Sequence, residues 1–392
     1  MLSILRSESC NNGGKVNMGK NERLLIYPYN MEFTPVLRHK SLLTGYDISC
    51  LVAPNGWGFT GKDAGSADRG PDIGILVSAD FEKSLDLCDT VMIVESHLPF
   101  DFEKYIFSKI KLAVKSKKNI ICSFKMDREI TKEISSMCNC EGVYFKCFDG
   151  TQNVLSEEIV IYNESIEEIE TPVILTVGIA EKTNKFEIQL ALREKIQKSG
   201  YKISQIGTRS YCEMLGFHPF PSFMYGNATS DVNKVLMFNR YIKKIEMSEE
   251  PDVIIIGVPG AIMPFDKKLT NKFGLLAFEI SQAITPDVVI ASLLYEDYKL
   301  ENFDEYTNLI KYKLGFEVDF FNLANMQFDW ARAYDEHVKS HISLDYRFID
   351  EKKMKYSSNK IPVLNLLNEN DSDHMADQAI EKLIGYADVQ IV

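Results

Sequence analysis

The chain has 392 residues, of which 45% are hydrophobic and 26% charged, a composition typical of a globular protein long enough for two domains. Its formal charge of −12 disfavours nucleic acid or an anionic membrane as a general partner. No apolar run approaches the roughly 20 residues that span a bilayer, so we expect a cytoplasmic protein without membrane association. Residues 1–22 are predicted to form a flexible tail.

Eight cysteines in a chain of this kind predict reduced thiols rather than a disulfide framework. Cys138, Cys140 and Cys147 are close in sequence, but their spacing matches no standard zinc motif. We therefore assign no metal site.

Residues 23–165 alternate short apolar runs with amphipathic stretches, which predicts a Rossmann-like domain of parallel strands and crossover helices. The predicted strands are Leu24–Tyr29, Tyr46–Val52, Thr90–Val94, Asn119–Phe124 and Gly142–Phe148. The dinucleotide fingerprint Gly-x-Gly-x-x-Gly is missing after the first strand, where YPYNMEFTP stands instead.

The segment Pro54–Gly74 contains six glycines, which indicates positive φ angles or close approach of backbones. It predicts either a mobile loop that closes over a ligand or a solvated connector. The sequence leaves both interpretations open.

The acidic stretch ESIEEIE ends before residue 171 and marks the predicted domain boundary, so the second domain is predicted over residues 172–392. This domain opens with Val173–Val177, an apolar run typical of a strand buried on both faces. Gly178 breaks the run, and the helix that follows ends at Gly200. Free backbone N–H groups and the helix dipole favour an anion at such a turn.

The turn after Gly178 departs from the P-loop pattern Gly-x4-Gly-Lys-Ser/Thr. In the register that begins at Gly178, Thr183 replaces the second glycine, Asn184 the lysine and Lys185 the hydroxyl residue. A register that keeps Lys182 and Thr183 places no glycine at either required position.

Two further features argue against triphosphate hydrolysis. Glu181 would bring a carboxylate towards phosphate oxygens, which is an unfavourable like-charge contact. The strand in PDVIIIGVPGAIMPF ends at Gly257, where P-loop proteins often carry an acidic residue that helps to hold magnesium. The sequence therefore predicts a P-loop-NTPase-like α/β domain with degenerate Walker motifs, in which an anion site is kept and hydrolysis is disfavoured.

The next predicted strand, Lys202–Ile206, leads into a turn that contains Thr208 and Arg209. Open α/β sheets bind ligands at the carboxyl ends of their strands, which is where this turn lies. Because a guanidinium holds carboxylate or phosphate through two parallel hydrogen bonds, Arg209 is a candidate anion clamp. Later strands are predicted in TPDVVIASL, EVDFFNLAN and HISLDYRFID, and before a C-terminal helix.

The chain resembles a clostridial-type peptide maturation system protein over Leu24 to about Leu383. The resemblance lies in RLLIYPYNMEFTPVLRHKSLL, LVAPNGWGFTGKDAG, KFEIQLALREKIQKSGYKISQIGTRSYCEMLGFHPFPSFM and IIIGVPGAIMPF. That family is known mainly from its place beside radical SAM maturases of cysteine-rich, ribosomally made peptides. The resemblance implies a pathway, with a precursor peptide and a radical SAM maturase as partners, but supplies no catalytic residues.

A more distant resemblance, carried by PDVIIIGVPGAIMPF and FGLLAFEISQAITPDVVIAS, is to an uncharacterised bacterial family that joins a Rossmann-like domain to a P-loop domain. In that family the strand leads into an acidic residue and then a glycine-rich turn. This sequence has Gly257, Val258, Pro259 and Gly260 there. The resemblance implies a two-domain α/β fold.

The leading hypothesis is an accessory protein in the maturation of a Cys-rich peptide natural product, which binds a nucleotide or other anionic ligand between its domains, the peptide, or both. No catalytic residue is assigned. The predicted ligand-binding residues are Gly178, Glu181, Lys182, Thr183, Lys185, Thr208, Arg209, Gly257 and Gly260.

Two alternatives stay open. One is a nucleotide-dependent ligase or kinase acting on the peptide, with Lys182 or Lys185 on phosphate and Asp252 or Asp287 on a metal, although both aspartates precede their strands. The other is a non-catalytic scaffold for the radical SAM maturase. The oligomeric state is open too, and a homo-oligomer is compatible with the sequence.

Overall fold

The computed structural model describes residues 21–389 apart from 97–100, 149–158, 160, 162, 227, 337 and 338. Most of the predicted tail, residues 1–22, lies outside these residues, and Glu22 already belongs to the first strand. Within the described residues, no helix has both the length and the apolar character needed to cross a membrane.

The N-terminal sheet has six parallel strands in the order β3-β2-β1-β4-β5-β6. The strands are β1 (Glu22–Tyr27), β2 (Tyr46–Val52), β3 (Val77–Ser78), β4 (Thr90–Ile93), β5 (Asn119–Cys122) and β6 (Phe145–Cys147). The helices are α1 (Thr34–Arg38), α2 (Phe81–Leu85), α3 (Ser108–Lys115, preceded by a π-helical turn) and α4 (Arg128–Glu141). The chain starts at the central strand and builds outwards on both sides, which is the Rossmann-like order.

The second sheet has seven parallel strands in the order β15-β12-β11-β7-β10-β8-β9. They are β7 (Val173–Gly178), β8 (Ile203–Gly207), β9 (His218–Pro219), β10 (Val253–Gly257), β11 (Val288–Leu293), β12 (Phe320–Leu323) and β15 (Val363–Leu364). A separate antiparallel pair joins β13 (Met326–Phe328) to β14 (His341–Ser343). All residues of β7 are buried, as its apolar run predicts for a central strand.

The helices of the second domain surround this sheet. They are α5 (Lys185–Lys198), α6 (Asp231–Glu249), α7 (Leu275–Ala283), α8 (Leu300–Leu314), α9 (Trp330–Asp335), α10 (Tyr346–Lys353) and α11 (Glu369–Val389). Helix α10 corrects the prediction of a strand throughout HISLDYRFID. The strand ends at Ser343, and the Asp345 carboxylate accepts a hydrogen bond from the Arg347 amide, which caps a helix instead.

Helix α5 connects the two domains because it is buried on two sides. Ile188, Leu192 and Ile196 belong to the core that includes residues of α11. Phe186 and Leu190 belong instead to the core built on the first sheet. The Rossmann-like and P-loop-like domains therefore share hydrophobic core, and the helix that follows the glycine turn is fixed from both sides.

Candidate functional site

Residues 179–184 form the loop between β7 and α5. Lys182 and Asn184 adopt positive φ angles of 59° and 56°, the left-handed conformation that asparagine tolerates better than most residues. The loop folds back over Gly178. A Cβ atom at Gly178 would lie 2.6 Å from the Ala180 carbonyl oxygen and 2.7 Å from Lys185 Nζ, so the fold of the loop requires glycine there.

The observed backbone gives the loop a register that the sequence did not indicate. Asn184 takes the left-handed position immediately before α5, and Lys185 is the first helical residue. These two residues stand where the P-loop pattern has Gly-Lys, and the loop is one residue longer than that pattern. Lys185, not Lys182, therefore occupies the place of the phosphate-binding lysine.

The Lys185 ammonium lies inside the loop, where it donates a hydrogen bond to the Gly260 carbonyl oxygen. Burial lowers its pKa to about 8, and the nearby Glu181 carboxylate opposes that decrease. Because desolvation disfavours the charged form, a bound anion would stabilise the Lys185 ammonium.

The loop also presents unused backbone donors. The Ile179 amide donates to the Ser292 carbonyl oxygen, and the Ile188 amide donates to the Asn184 carbonyl oxygen. Between them, in the described structure, the amides of residues 180–187 make no hydrogen bond to a protein acceptor. Successive free N–H groups at the start of a helix form an anion-binding nest.

Two more cations reach this loop. Lys182 Nζ donates to Glu32 Oε1 at 2.6 Å, and Arg209 Nη2 donates to Glu32 Oε2. The Arg209 guanidinium also lies over the Phe186 ring, 5.8 Å from its centroid. Glu32 comes from the loop after β1, so a carboxylate of the first domain bridges two cations of the second.

These groups line a cleft of about 300 Å³ between the domains. Of the predicted ligand-binding residues, seven line it: Glu181, Lys182, Thr183, Lys185, Thr208, Arg209 and Gly260. A neighbouring cleft of about 280 Å³ lies at the carboxyl ends of β1, β4 and β5 and shares Glu32, Thr208 and Arg209 with the first. We call the two the loop cleft and the edge cleft.

The other two predicted residues, Gly178 and Gly257, are not in the lining of the loop cleft. Gly178 lies beneath the loop. At Gly257 a Cβ atom would overlap the side-chain amide of Gln189, which is fully buried on α5. Gly257 therefore allows α5 to pack closely against β10, which is a structural role.

The residues of the loop cleft that sequence reasoning missed include Glu32, Asn184 and Asn325. Asn184 Nδ2 donates to Asn325 Oδ1 at 2.8 Å, and Asn325 Nδ2 donates to the Asp68 carbonyl oxygen at 2.6 Å. The signal for Glu32 was present, because YPYNMEFTP follows a strand whose carboxyl end is the usual ligand edge.

The glycine-rich segment Pro54–Gly74 is packed at its centre. Ala64 and Gly65 are buried, and the Asp68 carboxylate pairs with Arg38 at 2.7 Å. Its contact with Asn325 joins it to the second domain. This part of the segment is therefore not a solvated connector.

A second contact between the domains surrounds His39, the residue after α1. Its Nδ1 and Nε2 atoms donate to Glu194 Oε2 at 2.6 Å and to Glu187 Oε1 at 2.9 Å, both on α5. Burial opposes the imidazolium charge, but the two carboxylates outweigh it and raise the pKa of His39 to about 9. His39 is therefore protonated at neutral pH.

The aspartates considered as metal ligands lie elsewhere. Asp252 Oδ2 accepts from the Lys202 amide at 2.7 Å, and Asp287 Oδ2 accepts from the Val173 amide at 2.8 Å. Both contacts are at the amino ends of the strands, opposite the loop cleft. Among the described residues, no group of three or more His, Cys, Asp or Glu side chains is arranged to hold a metal ion.

No protein-family model matches the chain, and no curated protein matches it significantly. Among solved structures it is similar to a DUF1611 family protein from Anabaena variabilis, with 11% identity over 92% of this chain and 100% of that one, at a TM-score of 0.58. It also matches the amine dehydrogenase of Mycobacterium smegmatis, with 14% identity over 45% of this chain and 55% of that one, at a TM-score of 0.29. The first likeness shows a shared α/β fold of two parallel sheets.

Proposed function

We propose that the loop cleft binds an anionic ligand through its phosphate groups, with a nucleotide as the first candidate. The observation that carries this proposal is that residues 181–187, which include Lys185 and whose amides make no hydrogen bond to an acceptor in the described structure, all line the loop cleft. Arg209 adds a guanidinium at the other side of the same cleft.

Binding without hydrolysis is the form of this proposal that fits the cleft best. Strand β10 ends at Gly257 and leads into Val258, Pro259 and Gly260, with no carboxylate to hold magnesium. A ligase or kinase would need that function from another side chain, and the two aspartates considered for it lie at the far edge of the sheet. We therefore favour the hypothesis of a binding protein over that of a ligase or kinase.

We further propose that the chain acts in the cytoplasm as an accessory protein in the maturation of a ribosomally made, Cys-rich peptide. The support is the resemblance of four long segments to clostridial-type peptide maturation system proteins. Precursor peptide and radical SAM maturase are the partners that this resemblance implies. In the scaffold alternative, the chain binds the maturase and does not require a small ligand.

The test is equilibrium binding of ATP, GTP, pyrophosphate and the precursor peptide to the purified protein by titration calorimetry. We expect binding of at least one phosphate compound. Lys185→Ala should weaken that binding about tenfold, because it removes one charge-assisted hydrogen bond from the cleft.

Lys132→Ala is the matched control, because Lys132 is exposed on α4 of the other domain. The affinity of this variant for the phosphate compound should equal that of the wild type. Absence of binding to every phosphate compound would refute the ligand proposal. If the protein still copurified with the maturase, the scaffold would become the better interpretation.

A further inference from the structure

Glu32 lies between Lys182 and Arg209 in the lining of the loop cleft. Its two carboxylate oxygens are used separately, Oε1 by the Lys182 ammonium and Oε2 by the Arg209 guanidinium. The Glu32 side chain is 14% exposed, and those of Lys182 and Arg209 are 35% and 26% exposed, so the ion triad is partly desolvated. Phosphate oxygens at the same two cations would make the same kind of hydrogen bonds.

The position of Glu32 makes this contact a connection between domains. The Glu32 amide donates to Asn30 Oδ1 at 3.0 Å, and Asn30 Nδ2 donates to the Glu95 carbonyl oxygen at 3.0 Å. These bonds fix Glu32 to the carboxyl edge of the first sheet. Lys182 and Arg209 belong to loops of the second sheet.

Glu32 also separates the two clefts. Together with Thr208 and Arg209 it lines both the loop cleft and the edge cleft. If the carboxylate left its two cations, the partition between the clefts would lose its charged centre. A ligand held by the loop would then have access to the edge of the Rossmann-like domain.

We propose that Glu32 is an internal competitor for the ligand site: a phosphate group takes Lys182 and Arg209 only by displacing the Glu32 carboxylate. This inference rests on the proposed function. Displacement breaks the charged contact between the second domain and the loop that joins β1 to α1, so occupancy of the site is coupled to the domain contact. The Glu32 carboxylate also sets a minimum affinity for binding, because an anion that binds the two cations weakly does not displace it.

A purely structural role for Glu32 predicts the opposite change in affinity. A carboxylate that only orients Lys182 and Arg209 would help the ligand, so its removal would weaken binding. A competing carboxylate hinders the ligand, so its removal strengthens binding. Glu32→Gln separates the two, because glutamine keeps the shape and one acceptor oxygen while losing the charge.

The experiment measures pyrophosphate affinity by titration calorimetry at low ionic strength. Glu32→Gln should bind on the order of tenfold more tightly than the wild type, since charge pairs of this closeness couple strongly. Glu181→Gln removes the same charge from the same cleft without freeing these two cations, and its gain should stay within about threefold. Unchanged or weaker binding by Glu32→Gln, or an equal gain in both variants, would overturn the inference.

Hydrogen exchange of the wild-type protein gives a second result that needs no variant. Pyrophosphate should accelerate exchange in peptides covering residues 29–38 and slow it in peptides covering residues 180–188. Protection of both regions would mean that Glu32 stays in place and would overturn the inference. If neither the wild type nor a folded Glu32→Gln variant binds any phosphate compound, the proposed function fails and this inference fails with it.

Discussion

The contribution of His39 to the free energy of unfolding is expected to fall by about 3 kcal/mol between pH 6.5 and pH 9, as the imidazolium deprotonates. The native state holds the His39 proton more tightly than the unfolded state, because Glu187 and Glu194 accept from both ring nitrogens. The stabilisation is therefore complete below pH 6.5 and is lost as the pH rises through 9. His39 is only 8% exposed, so solvent screens these contacts little.

The measurement is urea denaturation of the wild type and His39→Gln at several pH values from 6 to 9.5. The stability difference between the two should be largest at pH 6 and should shrink towards pH 9. Taking this difference is necessary because Lys185, whose pKa is lowered to about 8, contributes an opposite slope above that pH. His374→Gln, at an exposed position on α11, should follow the wild type. Parallel pH profiles for His39→Gln and the wild type would contradict the prediction.

The strand, the glycine turn and the helix of the site could be predicted because short stretches of sequence specify them. An apolar run, a glycine and an amphipathic helix specify β7, the turn and α5 through short-range rules of strand burial and helix termination. The α/β fold of both domains follows from the same rules. Seven of the nine predicted residues line the loop cleft because they follow carboxyl ends of strands.

The register inside the loop was not predictable from the P-loop pattern, because asparagine can replace glycine at a left-handed position. Asn184 adopts that conformation and also donates to Asn325, which is 141 residues away. Glycine could not make that bond. A search restricted to glycine therefore assigned Lys185 to the position of the hydroxyl residue.

The contacts between the domains join residues that lie far apart in the sequence. Glu32 is 150 residues from Lys182 and 177 residues from Arg209. From the sequence alone, a charged residue in a loop is predicted to be exposed to solvent, because the domain that faces it is not known. His39 was missed for the same reason, since both of its partners lie on α5 and only the shared core brings them together.

Replacement of Gly178 by alanine is expected to weaken phosphate binding roughly a hundredfold and to lower the free energy of unfolding by about 1–3 kcal/mol. The new methyl group would lie 2.6 Å from both the Ala180 carbonyl oxygen and Thr183 Oγ1. The Ala180 carbonyl group belongs to the backbone and cannot rotate away as a flexible side chain can, so the loop has to move away from β7. We expect that movement to displace Lys185 and the free amides of the loop. The roughly hundredfold loss of affinity corresponds to the loss of two charge-assisted hydrogen bonds of about 1.5 kcal/mol each.

Gly226→Ala is the matched control, because the nearest atom to its new methyl group is the Phe223 carbonyl oxygen at 3.7 Å, an ordinary contact. Binding of pyrophosphate is measured by calorimetry at a temperature where circular dichroism shows both variants folded. A general loss of stability would weaken binding in proportion to the unfolded fraction alone, which is small under those conditions. A folded Gly178→Ala protein with wild-type affinity would show that the anion does not depend on the shape of this loop, and the phosphate site would have to be sought elsewhere.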